Sequence, residues 1–346
     1  MNTSPWLPVV WFGIVGFSVL MYVLLDGFVL GLGILAPTAK TEGEFDHMMN
    51  TAAPIWDGNE TWLVLGGAGL FAAFPKAYAV ILSALYLPVL IMMLALVFRG
   101  VAFEFRFKGY GFAKRAWGGA FCAGSVVATF CQGVILGAVV QGLPLVDGHY
   151  RGGALGWMTP FVLLTGLSLV VGYALLGASW LILKTEGPLH DRARRLARPL
   201  VVLMLLAMLL VSASLPFLAS RLMARWFDGT NFLWLSPVPI VTLWVGWLLW
   251  RDAGRPRLPE HRPAHDARPF VWTMALFVLG FAGLVLGMWP LIVPPSLTIW
   301  AAAAAQSSQV FLLTGLVFLL PLILTYTAWS YSVFRGKIAE DAGYHH

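Results

Sequence analysis

Five ionisable side chains, Asp26, Asp57, Glu60, Arg99 and Glu104, stand inside or at the margins of long apolar runs in the first third of this chain. Moving a charge from water into hydrocarbon is costly, so such groups are kept where they pair with one another or where they move protons or ions. Asp57 and Glu60 are three residues apart and share a helical face. Trp56 and Glu60, four apart, share the adjoining one, and Asn59 adds an amide beside them. A set of this kind can relay protons, or hold a cation with help from the Asn59 amide. The seven histidines, His47, His149, His190, His261, His265, His345 and His346, fall in polar connections or at the C-terminus. Carboxylates within apolar runs and imidazoles outside them point to proton or ion handling, and away from ligation of a haem by this chain.

Membrane helices must position these residues. Of the 346 residues, 59% are hydrophobic and 11% charged, against about 25% charged in a soluble domain. The composition therefore predicts an all-α, polytopic membrane protein. Nine apolar stretches are long enough to cross about 30 Å of hydrocarbon. They cover residues 6–36, 54–74, 78–105, 117–140, 157–183, 199–222, 232–250, 270–289 and 305–334. The second is the weakest, since Asp57 and Glu60 occupy its first turns and Gly66, Gly67 and Gly69 follow. Spans one to four and five to eight are expected to form two four-helix bundles, with the ninth peripheral. No connection is long enough for a soluble domain, so residues 1–346 read as a single integral membrane domain.

Seventeen basic residues follow odd-numbered spans and four follow even-numbered ones, with Arg99 inside the third. The positive-inside rule then places the N-terminus outside and the C-terminus in the cytoplasm. The net charge of +6 is thus a topology signal, with lipid headgroups rather than nucleic acid as its partner. The segment from Arg251 to Arg268 reads as an extended cytoplasmic loop, and Trp289-Pro290 breaks the eighth helix. The start of the chain lacks the basic residues of a signal peptide, which makes the first helix a retained one.

On this topology Asp26, roughly 30 Å along the first helix at 1.5 Å per residue, approaches the cytoplasmic side. Asp57 and Glu60 open the second span on that side, and Arg99 and Glu104 lie toward the same end of the third. The five are expected to converge on one level, and nothing comparable occurs within the later spans. A plainer reading has Asp57 capping a helix after Pro54, Glu60 supporting it and Arg99 pairing with a carboxylate. Asp26 has no such local role in mid-helix. Gly27, Gly31 and Gly33 have the spacing of close helix packing. Gln132 and Gln141 are packing groups or cavity liners. Cys122 and Cys131, nine apart on one segment and so about 13 Å apart on a helix, are separate buried thiols, and no Cys or His grouping has metal-site spacing.

Leu25-Asp26-Gly27-Phe28, the run Pro54-Ile55-Trp56-Asp57-Gly58-Asn59-Glu60-Thr61-Trp62, Phe71-Ala72-Ala73-Phe74-Pro75 and Phe98-Arg99 resemble subunit II of cytochrome bd-type quinol oxidases. The short length and compact loops are most similar to the cyanide-insensitive branch. The resemblance implies a nine-helix, two-bundle subunit in a bacterial inner membrane, paired with a similarly folded subunit I. That partner holds two b-type haems and either a d-type haem or a third b-type, and oxidises quinol. This subunit would ligate no haem, would stabilise the pair, and would contribute Asp57, with Asp26 and Arg99 as neighbours, to a proton route along the interface. The resemblance leaves open small single-helix accessory subunits and a quinone or lipid held in a groove of this chain. Two departures stand out. Val29 replaces a second acid that many members carry three residues after the first-helix aspartate, so a cation held by that pair elsewhere would lack a ligand here. Glu60 stands where others often carry Gln, an extra carboxylate.

The leading expectation is a non-haem subunit of an electrogenic ubiquinol oxidase, with protons for oxygen reduction taken from the cytoplasm. A proton- or cation-coupled secondary transporter is the alternative; against it, the acidic cluster has no counterpart in the second half. A purely structural partner subunit is the third.

Overall fold

The computed structural model describes residues 5–218, 236–255 and 263–338. Helices α1 (Leu7–Leu35), α2 (Glu42–Asn50), α3 (Trp56–Ala73), α4 (Pro75–Lys108) and α5 (Gly111–Gln141) form the first half. Helices α6 (Pro160–Lys184), α7 (Gly187–Leu218), α8 (Pro237–Ala253), α9 (Pro263–Met288), the single turn α10 (Ile299–Ala302) and α11 (Gln306–Val333) form the second. Two hairpins interrupt the helices, β1 (Leu145–Val146) with β2 (His149–Tyr150), and β3 (Leu291–Val293) with β4 (Leu297–Thr298). Among the described residues the all-α expectation holds apart from these short hairpins, where Asp147-Gly148, both at positive φ, make the first turn.

Seven of the described helices are long and apolar enough to cross a membrane: α1, α4, α5, α6, α7, α9 and α11. The two other expected spans are helices as well, but each falls short for a reason visible in its residues. In α3 the polar turn Asp57-Gly58-Asn59-Glu60 takes up the start of an 18-residue helix. In α8 17 residues are described, and the beginning of the stretch expected at 232–250 lies outside the described residues, as does the end of the stretch expected at 199–222.

Several boundaries moved for a common cause. The arginine-rich segment before residue 199 is not a loop: α7 begins at Gly187, because Leu189, His190, Ala193 and Ala197 form a buried stripe at helical spacing while the arginines lie alongside it. Nor is the whole of 251–268 an extended loop, since α8 runs to Ala253 and α9 starts at Pro263. Residues 256–262 between them lie outside the described residues. Three histidines are helical too, His47 in α2, His190 in the first turn of α7 and His265 in the first turn of α9, the first two buried. They sit at the polar helix ends, not in mid-span. The eighth expected span does stop at Met288, before Trp289-Pro290.

The first helix is the centre of the molecule. The apolar core of α1 is 72% buried, against 6% for α11. Helix α1 packs on α3, α5 and α6; α4 packs on α5, α6 on α7 and α9, and α8 on α7 and α9. The glycines explain how α1 approaches α6. A Cβ on Gly31 would run into the Tyr173 carbonyl and the Gly177 backbone, and one on Gly177 would meet Gly31. Two helices with no side chains at the crossing can bring their backbones together, as small residues do in membranes. Gly33 makes room for Ser125 of α5 in the same way.

The two ends differ in character. At one end α2 lies across the helix termini. Thr41 caps it, and the buried Arg106 reaches it through Glu42 (2.5 Å) and Asp46 (3.1 Å) with its guanidinium over Phe45. Lys114 also binds Asp46, and Arg192 binds Glu44 at 2.6 Å. The Arg106 hydrogen bond holds the Glu42 carboxyl below the usual glutamate range. At the same end Asp266 collects Arg194, Lys337 and His190. The other end carries the hairpins, with Trp11 donating to the Gln309 carbonyl and Trp300 to that of Pro5.

Candidate functional site

The central feature of the apolar interior is a guanidinium. Arg99 of α4 and Asp26 of α1 are both fully buried, with Arg99 Nη2 2.6 Å from Asp26 Oδ1 and 2.5 Å from Oδ2. Asp26 is set in mid-helix, where the backbone offers it no donor. Its partner must therefore come from another element, and α4 supplies it. Arg99 Nη1 then faces Glu60 Oε1 of α3 at 3.1 Å. That contact is close in charge but off the N–H direction, for neither atom has a hydrogen-bond partner, and Arg99 Nε has none either.

Aromatic and amide groups hold this triad. The Arg99 guanidinium lies 5.7 Å from the centre of the Trp56 ring, a cation–π distance. Trp56 is in turn stacked on Phe103, 5.0 Å away and nearly parallel. Asn59, buried, donates from Nδ2 to the Leu25 carbonyl at 2.9 Å and accepts from the Tyr331 hydroxyl at 3.0 Å. It thereby ties α3 to α1 next to Asp26 and to α11. Behind Asp26 the polar groups continue. The Tyr22 hydroxyl, one turn before Asp26, accepts from Gln132 Nε2 at 2.8 Å, and Gln132 Oε1 accepts from the Tyr173 hydroxyl at 2.9 Å.

The expected convergence is thus real for three of five charges. Asp57 is exposed on the outer side of α3 and pairs with no cation among the described residues. It heads a stripe of exposed residues, Thr61, Val64, Ala68 and Phe71, at helical spacing. It stands in the first turn of α3, where the dipole favours an acid, although no side chain caps that helix. Glu104 lies farther along α4 and pairs with Lys108 at 3.7 Å, both largely exposed, so it belongs to the polar end and not to the triad. The reason is rotation: the five residues from Arg99 to Glu104 turn a side chain about 140° around the helix, and the roughly 60° between Asp57 and Glu60 is enough to leave Asp57 on the outer edge of their common face.

Sequence reasoning passed over Tyr22, Tyr173 and Tyr331. Tyr22 carried a signal, four residues before Asp26; Tyr173 and Tyr331 reach the site from distant helices and carried none. Gln132 joins the network, whereas Gln141 accepts from the Thr159 hydroxyl at 2.6 Å at the opposite end. The second half does hold an ionic cluster, around Asp266, but at the helix ends, where Asp266 has three donors. We expect Arg99→Met to cost about 3–5 kcal/mol of stability, because it leaves Asp26 buried without a counter-charge. Unfolding of the detergent-solubilised protein measures this; a change below about 1 kcal/mol would be that of an exposed pair.

Comparison with known proteins identifies the family. Residues 7–334 match the family described as cytochrome bd terminal oxidase subunit II. The chain is 29% identical over 378 residues to the cytochrome bd-I ubiquinol oxidase subunit 2 of Escherichia coli K12, covering 96% of this chain and 95% of that protein. It is 27% identical over 339 residues to the cytochrome bd ubiquinol oxidase subunit 2 of Bacillus subtilis 168, covering 95% and 96%. The fold is similar to a chain of the bd oxidase from Geobacillus thermodenitrificans, with a TM-score of 0.78 at 18% identity over 95% of this chain and 98% of that one. This all-α membrane protein belongs to the cytochrome bd terminal oxidase subunit II family.

Proposed function

We propose that this chain is the non-haem subunit of a ubiquinol-oxidising terminal oxidase, and that it contributes to cytoplasmic proton uptake at its interface with a haem-bearing subunit I. The observation that carries the proton role is a gradient of burial: Asp57 exposed, Glu60 31% exposed, Arg99 and Asp26 at 0%. A carboxylate series running from the surface inward is what a relay needs, whereas a helix cap would need Asp57 alone. The same residues support a position for the partner. In hydrocarbon the exposed Asp57 heading an otherwise mostly apolar stripe would be costly, so a polar group of another subunit has reason to cover it. The exposed Leu94, Val97 and Phe98 of the neighbouring α4 extend that face.

The packing supports nine spans in two four-helix bundles, α1 with α3, α4 and α5, and α6 with α7, α8 and α9, leaving α11 peripheral. The basic asymmetry supports a bacterial inner-membrane protein with its N-terminus periplasmic and its C-terminus, with the α2 end, cytoplasmic. The histidines suit a subunit without haem. Both ring nitrogens of His190 face carboxylates, of Asp191 and Asp266, and His149 stands on an exposed hairpin. The b-type haems, and a d-type haem where present, are then the partner's, and the redox chemistry with them.

In a background of Cys122→Ser and Cys131→Ser, an impermeant thiol reagent added from the periplasmic side should label Val146→Cys and leave Lys108→Cys unlabelled; the reverse pattern inverts the topology. The chain purified alone should give no stoichiometric haem in a pyridine haemochrome assay, and one haem per chain would sink the non-haem assignment. Asp57→Asn should slow quinol-dependent oxygen uptake per haem while both subunits still assemble, since an amide keeps the shape but cannot relay a proton. Normal turnover per haem would remove Asp57 from the route, and loss of the complex would favour a structural role.

A further inference from the structure

We infer that Glu60 is the carboxylate of this cluster that exchanges the proton, and that Asp26 is its fixed counter-charge and stays ionised. This deepens the proton-uptake reading above and rests on it. Formal charges make the first step. Asp26 and Glu60 bring two negative charges to one guanidinium, so with both ionised the triad is left with one uncompensated charge in an apolar interior. Such a charge is far more costly than a neutral group, and the cluster lowers that cost by binding one proton.

Geometry decides where the proton goes. Both Asp26 oxygens lie within 2.6 Å of Arg99 Nη2, on a fully buried pair. Protonating Asp26 would break the tightest contact in the cluster. Glu60 has the looser one, 3.1 Å from Arg99 Nη1 without hydrogen-bond alignment. Arg99 Nη1, the nitrogen that faces Glu60, is a fully buried donor with no hydrogen-bond partner, because Asp26 engages Nη2 alone. Glu60 is also the one of the two acids with access to the surface, at 31% exposed against 0% for Asp26. The charged and titratable groups facing it are Arg99 of α4, Asp26 and Tyr22 of α1, and Asp57 on its own helix. The charges of Asp26 and Asp57 disfavour an ionised Glu60, Tyr22 is neutral, and Arg99, which favours it, is already paired with Asp26. In the exchange, a Glu60 oxygen forms an O–H bond with a proton delivered by hydronium at the cytoplasmic side, which leaves as water. That bond breaks when the proton passes to a water molecule at the interface, and the carboxylate returns; no electron is transferred.

Infrared difference spectroscopy and oxygen uptake on the assembled two-subunit complex test this, using Glu60→Gln, Glu60→Asp, Asp26→Asn and Asp57→Asn. Glu60→Gln should lower quinol-dependent oxygen uptake per haem about tenfold or more, as loss of a positioned proton carrier does. It should also abolish a protonated-carboxyl C=O band that changes with pH, and flatten the fall of the rate at alkaline pH. Glu60→Asp should keep the band and the pH dependence. Persistence of the band in Glu60→Gln together with its loss in Asp26→Asn would overturn the assignment, as would loss in Asp57→Asn alone. Both of those outcomes would leave proton uptake through this subunit standing. Normal turnover in Glu60→Gln, Asp26→Asn and Asp57→Asn alike would instead defeat the uptake reading itself.

Discussion

A fully buried guanidinium between membrane helices has to be neutralised, and that requirement organises the first half of this protein. Arg99 is held by Asp26 from α1 and approached by Glu60 from α3, so three helices meet at a fixed depth and rotation. Once Asp26 is fixed, α1 presents Gly27, Gly31 and Gly33 to α5 and α6, and the tight crossing with Gly177 follows. The apolar surface alone would let these helices slide or rotate against each other, since hydrocarbon offers no penalty for exposing leucine. The ion pair removes that freedom.

The arrangement also sorts polar groups by depth. At the α2 end, ion pairs are numerous and partly exposed, and each one individually contributes little. Arg106 is the exception, buried and satisfied by Glu42, Asp46 and the Lys114 carbonyl. Toward the middle, among the described residues, only one cluster remains, with a tail of hydroxyl and amide groups from Tyr22 through Gln132 to Tyr173. Those are neutral, which lets them satisfy one another without a counter-ion. On the function proposed above, a subunit without redox centres of its own would still shape the path of the protons that the reaction consumes.

Much of this could be read in the residues, and the failures share a cause. Hydropathy located every long helix, because twenty apolar residues have few alternatives in a membrane. It missed the start of α7, whose first turns are amphipathic and charged and so look like a loop when hydropathy is averaged. The acids of the site were visible as costly exceptions in apolar runs. What spacing could not provide was rotation about the helix axis, so Asp57 and Glu104 were grouped with a cluster that they border and do not enter. Tyr173 and Tyr331 were hidden because their partners are on other helices, 41 and 272 residues away, and nothing local marks a tyrosine that will end against Gln132 or Asn59.

The dependence of the fold on the Arg99–Asp26 pair is measured most directly by a double-mutant cycle on unfolding in detergent, with Arg99→Met, Asp26→Asn and the two together. Removing both charges takes away the buried unpaired group that each single variant leaves behind. The double variant should therefore be more stable than Arg99→Met alone, with a coupling energy of about 0.5–3 kcal/mol or more between contacting groups. Additive losses, with the double variant the least stable of the three, would show that the two side chains do not depend on each other and would contradict the account.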